Sequence, residues 1–542
     1  MGHTIYTAFK QSAQQWPDHD FMMVLQETAD IYGIDAGSIS YTTALAEVDR
    51  LTEQYAQAGY GHGHRVGILL ENRPAFIFHW LALNKLGTSI VPINPDLRSA
   101  ELEYLIGHSE MILAIATPNR HADLGEAAAK AGQEMGLITP DQTPPAALIP
   151  APQAGQPITM ESECALMYTS GTTGRPKGCM LSNAYFHLSG EWYADVGGLA
   201  TLHKGRERML TPLPLFHMNA LATSTMAMIK TGGCLIVLDR FHPRTWWESV
   251  RKSQATVVHY LGVMPAILMK LEMTESDKNH EVRFGFGAGV DGSLHQPFEE
   301  RFGFPLLEAW AMTETGAAAC IIANEEPRYI GTNCFGKESD QVEVLLVDDQ
   351  GNPVPNGTNG ELLVRHSGAD PRRGFFSGYW KDQAATDEAW ADGWFHTGDI
   401  VRRDENGYLH FIDRKRNVIR RSGENIAAVE VENAMQQNAA IRSIAVAAVP
   451  DDIRGDEVMA LIVPNKPLDN LEAKQKLATE IVEWGLSQLA YFKVPGYVVF
   501  VDALPLTSTN KIQRGELKKL ALELLEHPEC VDTNHLKKRQ EI

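Results

Sequence analysis

The chain has 542 residues, 44% hydrophobic and 21% charged, a globular composition too long for one ordinary core, so two or more domains are expected. Its 48 Lys and Arg stand against 68 Asp and Glu, and the net charge of −20 argues against a nucleic-acid partner, whose phosphates it repels at long range. Six cysteines without a Cys-x-x-Cys pair or a His/Cys cluster offer neither a disulfide framework nor a zinc site. The stretch Met1-Gly2-His3-Thr4 lacks the features of a signal peptide, and no apolar run reaches the ~20 residues that span a bilayer, so a cytoplasmic protein without an integral membrane segment is expected.

Short β-prone runs at Val66–Leu70, Ser89–Val91 and Ile112–Ala116 alternate with helical segments. One of these is Pro74–Leu86, with Phe76, Trp80 and Leu83 on one face. The rhythm continues through Leu235–Leu238, Val257–Tyr260 and Val282–Phe286 and predicts an α/β fold with largely parallel central strands. After residue 340 the texture changes to short strands, Val342–Val347, Gly360–Val364 and Tyr408–Ile412, joined by turn residues, which predicts a β-rich subdomain. Beyond the basic stretch Arg414-Lys415-Arg416-Asn417 a small α+β unit is expected, with helix Val429–Gln437, strands Ile444–Val449 and Met459–Val463, and helix Glu472–Leu489. The domains are therefore drawn as 1–412 and 417–542, with a boundary at 413–416. The polar tail after Leu525 is expected to fray.

The most informative string is Tyr168-Thr169-Ser170-Gly171-Thr172-Thr173-Gly174-Arg175-Pro176-Lys177-Gly178. Its glycines let backbone approach a ligand, its hydroxyls are short donors, and Lys177 is a mobile cation; together they suit a polyphosphate. It is not the common P-loop, which ends in Gly-Lys-Ser/Thr. A polar surface hairpin is the bland alternative.

Other strings carry chemistry of their own. Gly287-Ala288-Gly289-Val290-Asp291-Gly292 follows a strand, precedes the helix expected at Leu294–Arg301 and has Glu308 downstream, which fits a dinucleotide fingerprint and keeps an NAD-dependent oxidoreductase open. In Trp310-Ala311-Met312-Thr313-Glu314, the indole can cover an adenine face, Thr313 can bond a phosphate oxygen, and Glu314 is a hard oxygen ligand suited to Mg²⁺. Asp399, in Thr397-Gly398-Asp399, can accept both hydroxyls of a ribose, although tight turns often look the same. His217, in Pro212–Asn219, reads on its own as a packed core residue or a catalytic one. Tyr193, Tyr260 and Trp310 can make cation–π contacts with a positively charged ligand, or serve as ordinary core aromatics.

Taken in order, these strings resemble the AMP-forming acyl/aryl-CoA synthetases, a superfamily of adenylate-forming enzymes, over roughly residues 15–520, and in texture the crotonobetaine/carnitine-CoA ligase branch. The resemblance implies ATP and CoA as co-substrates, Mg²⁺ as cofactor and a small carboxylic acid as the partner molecule, with a dimer as the oligomer to look for. It further implies that Ala288 and Gly289 lie against adenine, that His217 separates the nucleotide from the acyl pocket, and that Tyr260 and Ala311 help shape that pocket. Arg414 is implied to contact the ribose or α-phosphate and Arg416 to be the hinge. Gly423 in Arg420–Ile426 then flanks the thiol channel, and Lys511 in Leu504–Ile512 is the catalytic lysine. An acid–CoA ligase for short-chain or aromatic acids is the neighbouring alternative.

Overall fold

The computed structural model describes residues 4–169, 175–414, 418–468, 470–505 and 512–538. The β–α–β rhythm of the first 340 residues produces two mainly parallel sheets. One has seven strands in the order Gly378–Tyr379, Lys177–Ser182, Glu163–Thr169, Ser89–Pro92, Arg65–Leu69, Leu113–Ala116, Gly136–Ile138. The other has eight, running from Ile321–Ile322 through Leu306–Trp310, Phe284–Ala288, Val257–Leu261, Arg208–Thr211, Cys234–Val237 and Asp20–Val24 to Gly37–Ser40. Antiparallel partners occur only toward the edges, as at Thr169↔Lys177 and Trp310↔Ile321.

The helix Pro74–Lys85 departs from expectation. Instead of one apolar face it is buried around most of its circumference, Ile77, Phe78 and Leu81 as deeply as Phe76, Trp80 and Leu83. It is sandwiched between layers, and a helix covered on both sides has no polar face to display.

The β-rich texture after residue 340 becomes a five-stranded antiparallel sheet whose last strand is Leu409–Arg414. The next strand, Val418–Arg421, belongs to a six-stranded sheet with Glu424–Ala427, Ile441–Asp451, Gly455–Pro464, Tyr497–Phe500 and Val531–Asp532. This smaller unit has its own apolar interior, built on Ile419, Val431, Met435, Ile481 and Val498. Arg416, the expected hinge, lies outside the described residues.

The tail expected to fray after Leu525 is instead tied down over its described residues, as far as 538. Val531 pairs with Val498, and Lys537 is buried against Glu457, whose second oxygen accepts from Arg421 Nε at 2.7 Å. Polarity misled here because the tail's cation has a buried carboxylate to meet.

Candidate active site

The phosphate-type string connects two neighbouring antiparallel strands of the seven-stranded sheet. Thr169 closes one strand and Lys177 opens the next, directly opposite in the antiparallel register. Ser170, Gly171, Thr172 and Thr173 lie outside the described residues. Lys177 Nζ sits 4.8 Å from the centre of the Tyr379 ring, a cation–π distance. The Tyr379 hydroxyl donates to Glu314 Oε1 at 2.8 Å. One phenol thus spaces the loop's cation from a carboxylate only 6% exposed. Tyr379 carries no sequence signal; it reaches the site because Gly378–Tyr379 pairs with the strand that Lys177 begins.

Glu314 stands as a single hard oxygen donor. Among the described residues no three His, Cys, Asp or Glu side chains are grouped to hold a metal. That donor set suits Mg²⁺, which commonly takes one or two carboxylates and completes its shell with substrate phosphates and water. It does not suit a metal caged by protein alone.

Trp310, at the end of its strand, donates its indole N–H to Asp399 Oδ2 at 2.8 Å, and both residues are buried. The hairpin of Trp394–Arg403 with Leu409–Arg414 sets Arg414 directly across from Asp399 in the backbone register. Three residues singled out from separate strings therefore converge. Thr313 and Thr169 border one cavity, whereas Ala311 is exposed and does not line it.

The Gly287–Gly292 turn is physically different from a dinucleotide fingerprint. Glu308, placed for a ribose by its spacing, accepts from Gly289 N–H at 2.8 Å and Val290 N–H at 3.0 Å, and from the Tyr260 hydroxyl at 3.0 Å. Burial pushes its carboxyl up, against the pull of those amides. Both oxygens are committed to holding the turn. Ala288 and Gly289 stay on the exposed side, and a Cβ at Gly289 would meet nothing, which leaves this backbone open to a flat ligand.

Tyr260 is buried, donates its hydroxyl to Glu308, and is not among the residues lining the cavity bordered by Thr169 and Thr313. Tyr193 is likewise a core aromatic, fully buried with its hydroxyl against His259 Nε2 at 3.1 Å. The indole edge of Trp310 is taken by Asp399. No cage for a quaternary ammonium forms from these three.

Between the two units lies a cavity of about 270 Å³. The large unit contributes Phe216, His217, Met218 and Leu261, and the small unit contributes Gly423 and Glu424. His217 Nε2 approaches Glu424 Oε1 at 3.4 Å across the interface. Ser422 and Gly423 have φ of +51° and +90°, the positive pair of a tight two-residue hairpin turn. A Cβ at Gly423 would lie 2.2 Å from Leu261 Cδ1, so only glycine allows this approach without displacement. Lys511 lies outside the described residues.

A two-unit α/β architecture, with Thr169 and Thr313 bordering a cavity shared with a small mixed domain, is that of the adenylate-forming enzymes. The profile of the AMP-binding enzyme family matches residues 9–380, and that of the AMP-binding enzyme C-terminal domain matches 430–511. A crotonobetaine/carnitine–CoA ligase of Escherichia coli is 30% identical over 91% of this chain and 97% of its own length. An o-succinylbenzoate CoA synthetase of Bacillus subtilis, bound with its product analogue, superposes with a TM-score of 0.79 at 23% identity, covering 94% of this chain and 98% of that one. The same Bacillus enzyme in complex with AMP gives 0.64 at 23% identity, covering 94% and 98%. The chain belongs to the AMP-binding enzyme family, the superfamily of the AMP-forming acyl-CoA synthetases, and is an acid–thiol ligase. No helix among the described residues is long and apolar enough to cross a membrane.

Proposed function

We propose that this protein activates a small carboxylic acid, carnitine- or crotonobetaine-like, with ATP and transfers it to CoA. The observation that carries this is the shared cavity, with Thr169 and Thr313 of the phosphate side at one boundary and the Gly423 turn of the small unit at another. In the first half-reaction a carboxylate oxygen attacks the α-phosphorus of ATP, the bond to the β-phosphate oxygen breaks, and pyrophosphate leaves. In the second, the CoA sulfur attacks the acyl carbon of that mixed anhydride and AMP leaves with the bonding electrons.

Little covalent help is needed, so positioning and charge stabilisation supply the rate. Thr169 to Thr173 and Lys177 are assigned to the triphosphate, Thr313 to a phosphate oxygen and Asp399 to the ribose hydroxyls. Adenine is assigned to the open turn at Ala288 and Gly289, with the Trp310 ring beside it and Arg414 near the ribose. Glu314 would hold Mg²⁺, whose chemistry is to neutralise phosphate charge. Lys511 is assigned to the reacting carboxylate, His217 to the wall between nucleotide and acid, and Gly423 to the thiol's path.

Support for the carnitine-like acid comes from the Escherichia coli relative, while the core positions of Tyr193 and Tyr260 mean that any cationic end is met by other groups. The better superposition on the product-analogue complex than on the AMP complex supports the present arrangement as the thiol-side one. We assign the enzyme to the cytoplasm, where ATP and CoA are both supplied. Pyrophosphate release, measured with ATP, Mg²⁺ and a panel of carnitine, crotonobetaine, short fatty acids and benzoates, is expected to depend on the acid. Tight NAD binding with no exchange of labelled pyrophosphate into ATP would overturn the assignment.

A further inference from the structure

Along the same shared cavity, whose lining includes Glu101, Glu430 and Lys493, the two units meet through a buried cluster of three charges. Glu101 is on the helix Ser99–Ser109 of the large unit, Glu430 on Ala428–Met435 of the small unit, and Lys493 follows the small unit's helix Leu471–Gln488. Lys493 Nζ donates to Glu101 Oε1 and to Glu430 Oε1, each at 2.6 Å, and all three side chains are at most 8% exposed. Glu101 Oε2 accepts a second hydrogen bond across the interface, from Ala490 N–H at 2.9 Å, and one from Arg98 N–H in its own helix start at 3.0 Å.

The cluster is divided unequally. Lys493 and Glu430 belong to the same unit and remain a one-to-one pair wherever that unit turns. Glu101 joins them only when the units are docked as here. Burial alone would lower the Lys493 ammonium, yet the two carboxylates hold it above its ordinary range, so the docked lysine keeps its charge. Removing one partner of a buried ion pair is costly, because the charge left behind has lost its water. Contacts of this kind discriminate sharply between docked and undocked arrangements.

The arrangement they favour is specific. It is the one in which the Gly423 turn abuts Leu261 and Glu424 faces His217. A rotation of the small unit out of this docking would carry Ala490 and Lys493 away from Glu101, because both travel with that unit.

We propose that Glu101 is a positioning residue for thioester formation, latching the small unit through Lys493 and Ala490 in the thiol-side arrangement. The inference rests on the two-step function proposed above. The test is Glu101→Gln in the full-length enzyme. The variant keeps shape and one acceptor but removes the charge, and leaves Lys493 paired with Glu430. Two rates are measured: pyrophosphate release without CoA, and single-turnover thioester formation from supplied acyl-adenylate and CoA.

Losing a hydrogen bond between charged groups should slow the second by roughly ten- to a hundredfold and leave the first unchanged. Should Glu101→Gln fail to fold, Glu101→Asp, which keeps the charge but shortens its reach, is read by the same two rates. Equal slowing of both steps, or none of the second, overturns the latch while leaving the ligase assignment standing. A wild-type enzyme that forms no acyl-adenylate from any acid of the panel overturns the ligase assignment instead, and the latch with it.

Discussion

Trp310 occupies a position where an aromatic ring was expected to serve by its face, and the structure also engages its edge. The indole N–H to Asp399 bond ties the assigned adenine side to the assigned ribose side, so the two groups do not orient independently. Replacing Trp310 by Phe keeps a ring and removes the donor. A hydrogen bond to a charged group is worth about 1.5–3 kcal/mol, and urea unfolding should register a loss of that order. The KM for ATP should rise more than kcat falls, because the carboxylate assigned to the ribose loses its orientation. An unchanged KM for ATP would remove Asp399 from the ribose. Glu308 teaches the complementary lesson: spacing alone suggested a ribose acid, but three donors from its own turn and Tyr260 had already claimed it.

Among the secondary elements, the doubly covered helix Pro74–Lys85 buries a histidine. His79 receives the Tyr55 hydroxyl contact at Nδ1, 2.8 Å away, and has the Pro140 carbonyl 3.1 Å from Nε2. Burial lowers it from its usual 6.5 to about 4, so it stays neutral in the fold well below the pH at which an unfolded chain protonates. Above pH 6.5 neither state binds the proton, and this residue adds no pH dependence. As pH falls from 6.5 toward 4 only the unfolded chain takes it up, and stability declines. At about 1.4 kcal/mol per pH unit, the loss attributable to His79 reaches about 3 kcal/mol near pH 4. Urea unfolding at pH 7, 5.5 and 4.5 should show a shallower acid decline in His79→Gln than in the wild type. Parallel declines would mean that His79 is not the group responsible.

For the whole molecule, the decisive point is that Lys511, proposed as the catalytic lysine, and the Gly423 turn both follow residues 413–416 in the chain, on the side of the small unit. If that unit serves each half-reaction in a different orientation, the two steps should fail independently. Lys511→Ala is expected to reduce acyl-adenylate formation by roughly 10²–10³, the effect of one lost transition-state charge contact, and to spare thioester formation from supplied adenylate. Gly423→Leu should do the reverse, since its side chain collides with Leu261 and adds bulk in a backbone conformation that L-residues avoid. Arg416→Pro, by fixing φ at the proposed hinge, should impair whichever step needs the other orientation. Quench-flow measurement of both half-reactions decides the matter. Equal slowing of both by Lys511→Ala would reduce the small unit to a lid.

Much of this molecule was legible in the chain because its chemistry is local. A loop such as Tyr168–Gly178 carries its donors on contiguous residues, and the alternating apolar runs announce parallel strands, since both depend only on near neighbours. Other features depend on how sheets and units pack. Tyr379 meets Glu314 from 65 residues away, Trp310 meets Asp399 from 89, and Glu101 meets Lys493 from 392. No periodicity encodes such pairings, because a side chain's partner is chosen by the strand order, by which turn closes over it, and by the docking of one unit on another. For the same reason Tyr193 and Tyr260 read from sequence as ligands or as core, and only the layers around them decided for the core. The order of the motifs disclosed the class of reaction, while the packing of the two units decided which residues share the cavity where that reaction is proposed to occur.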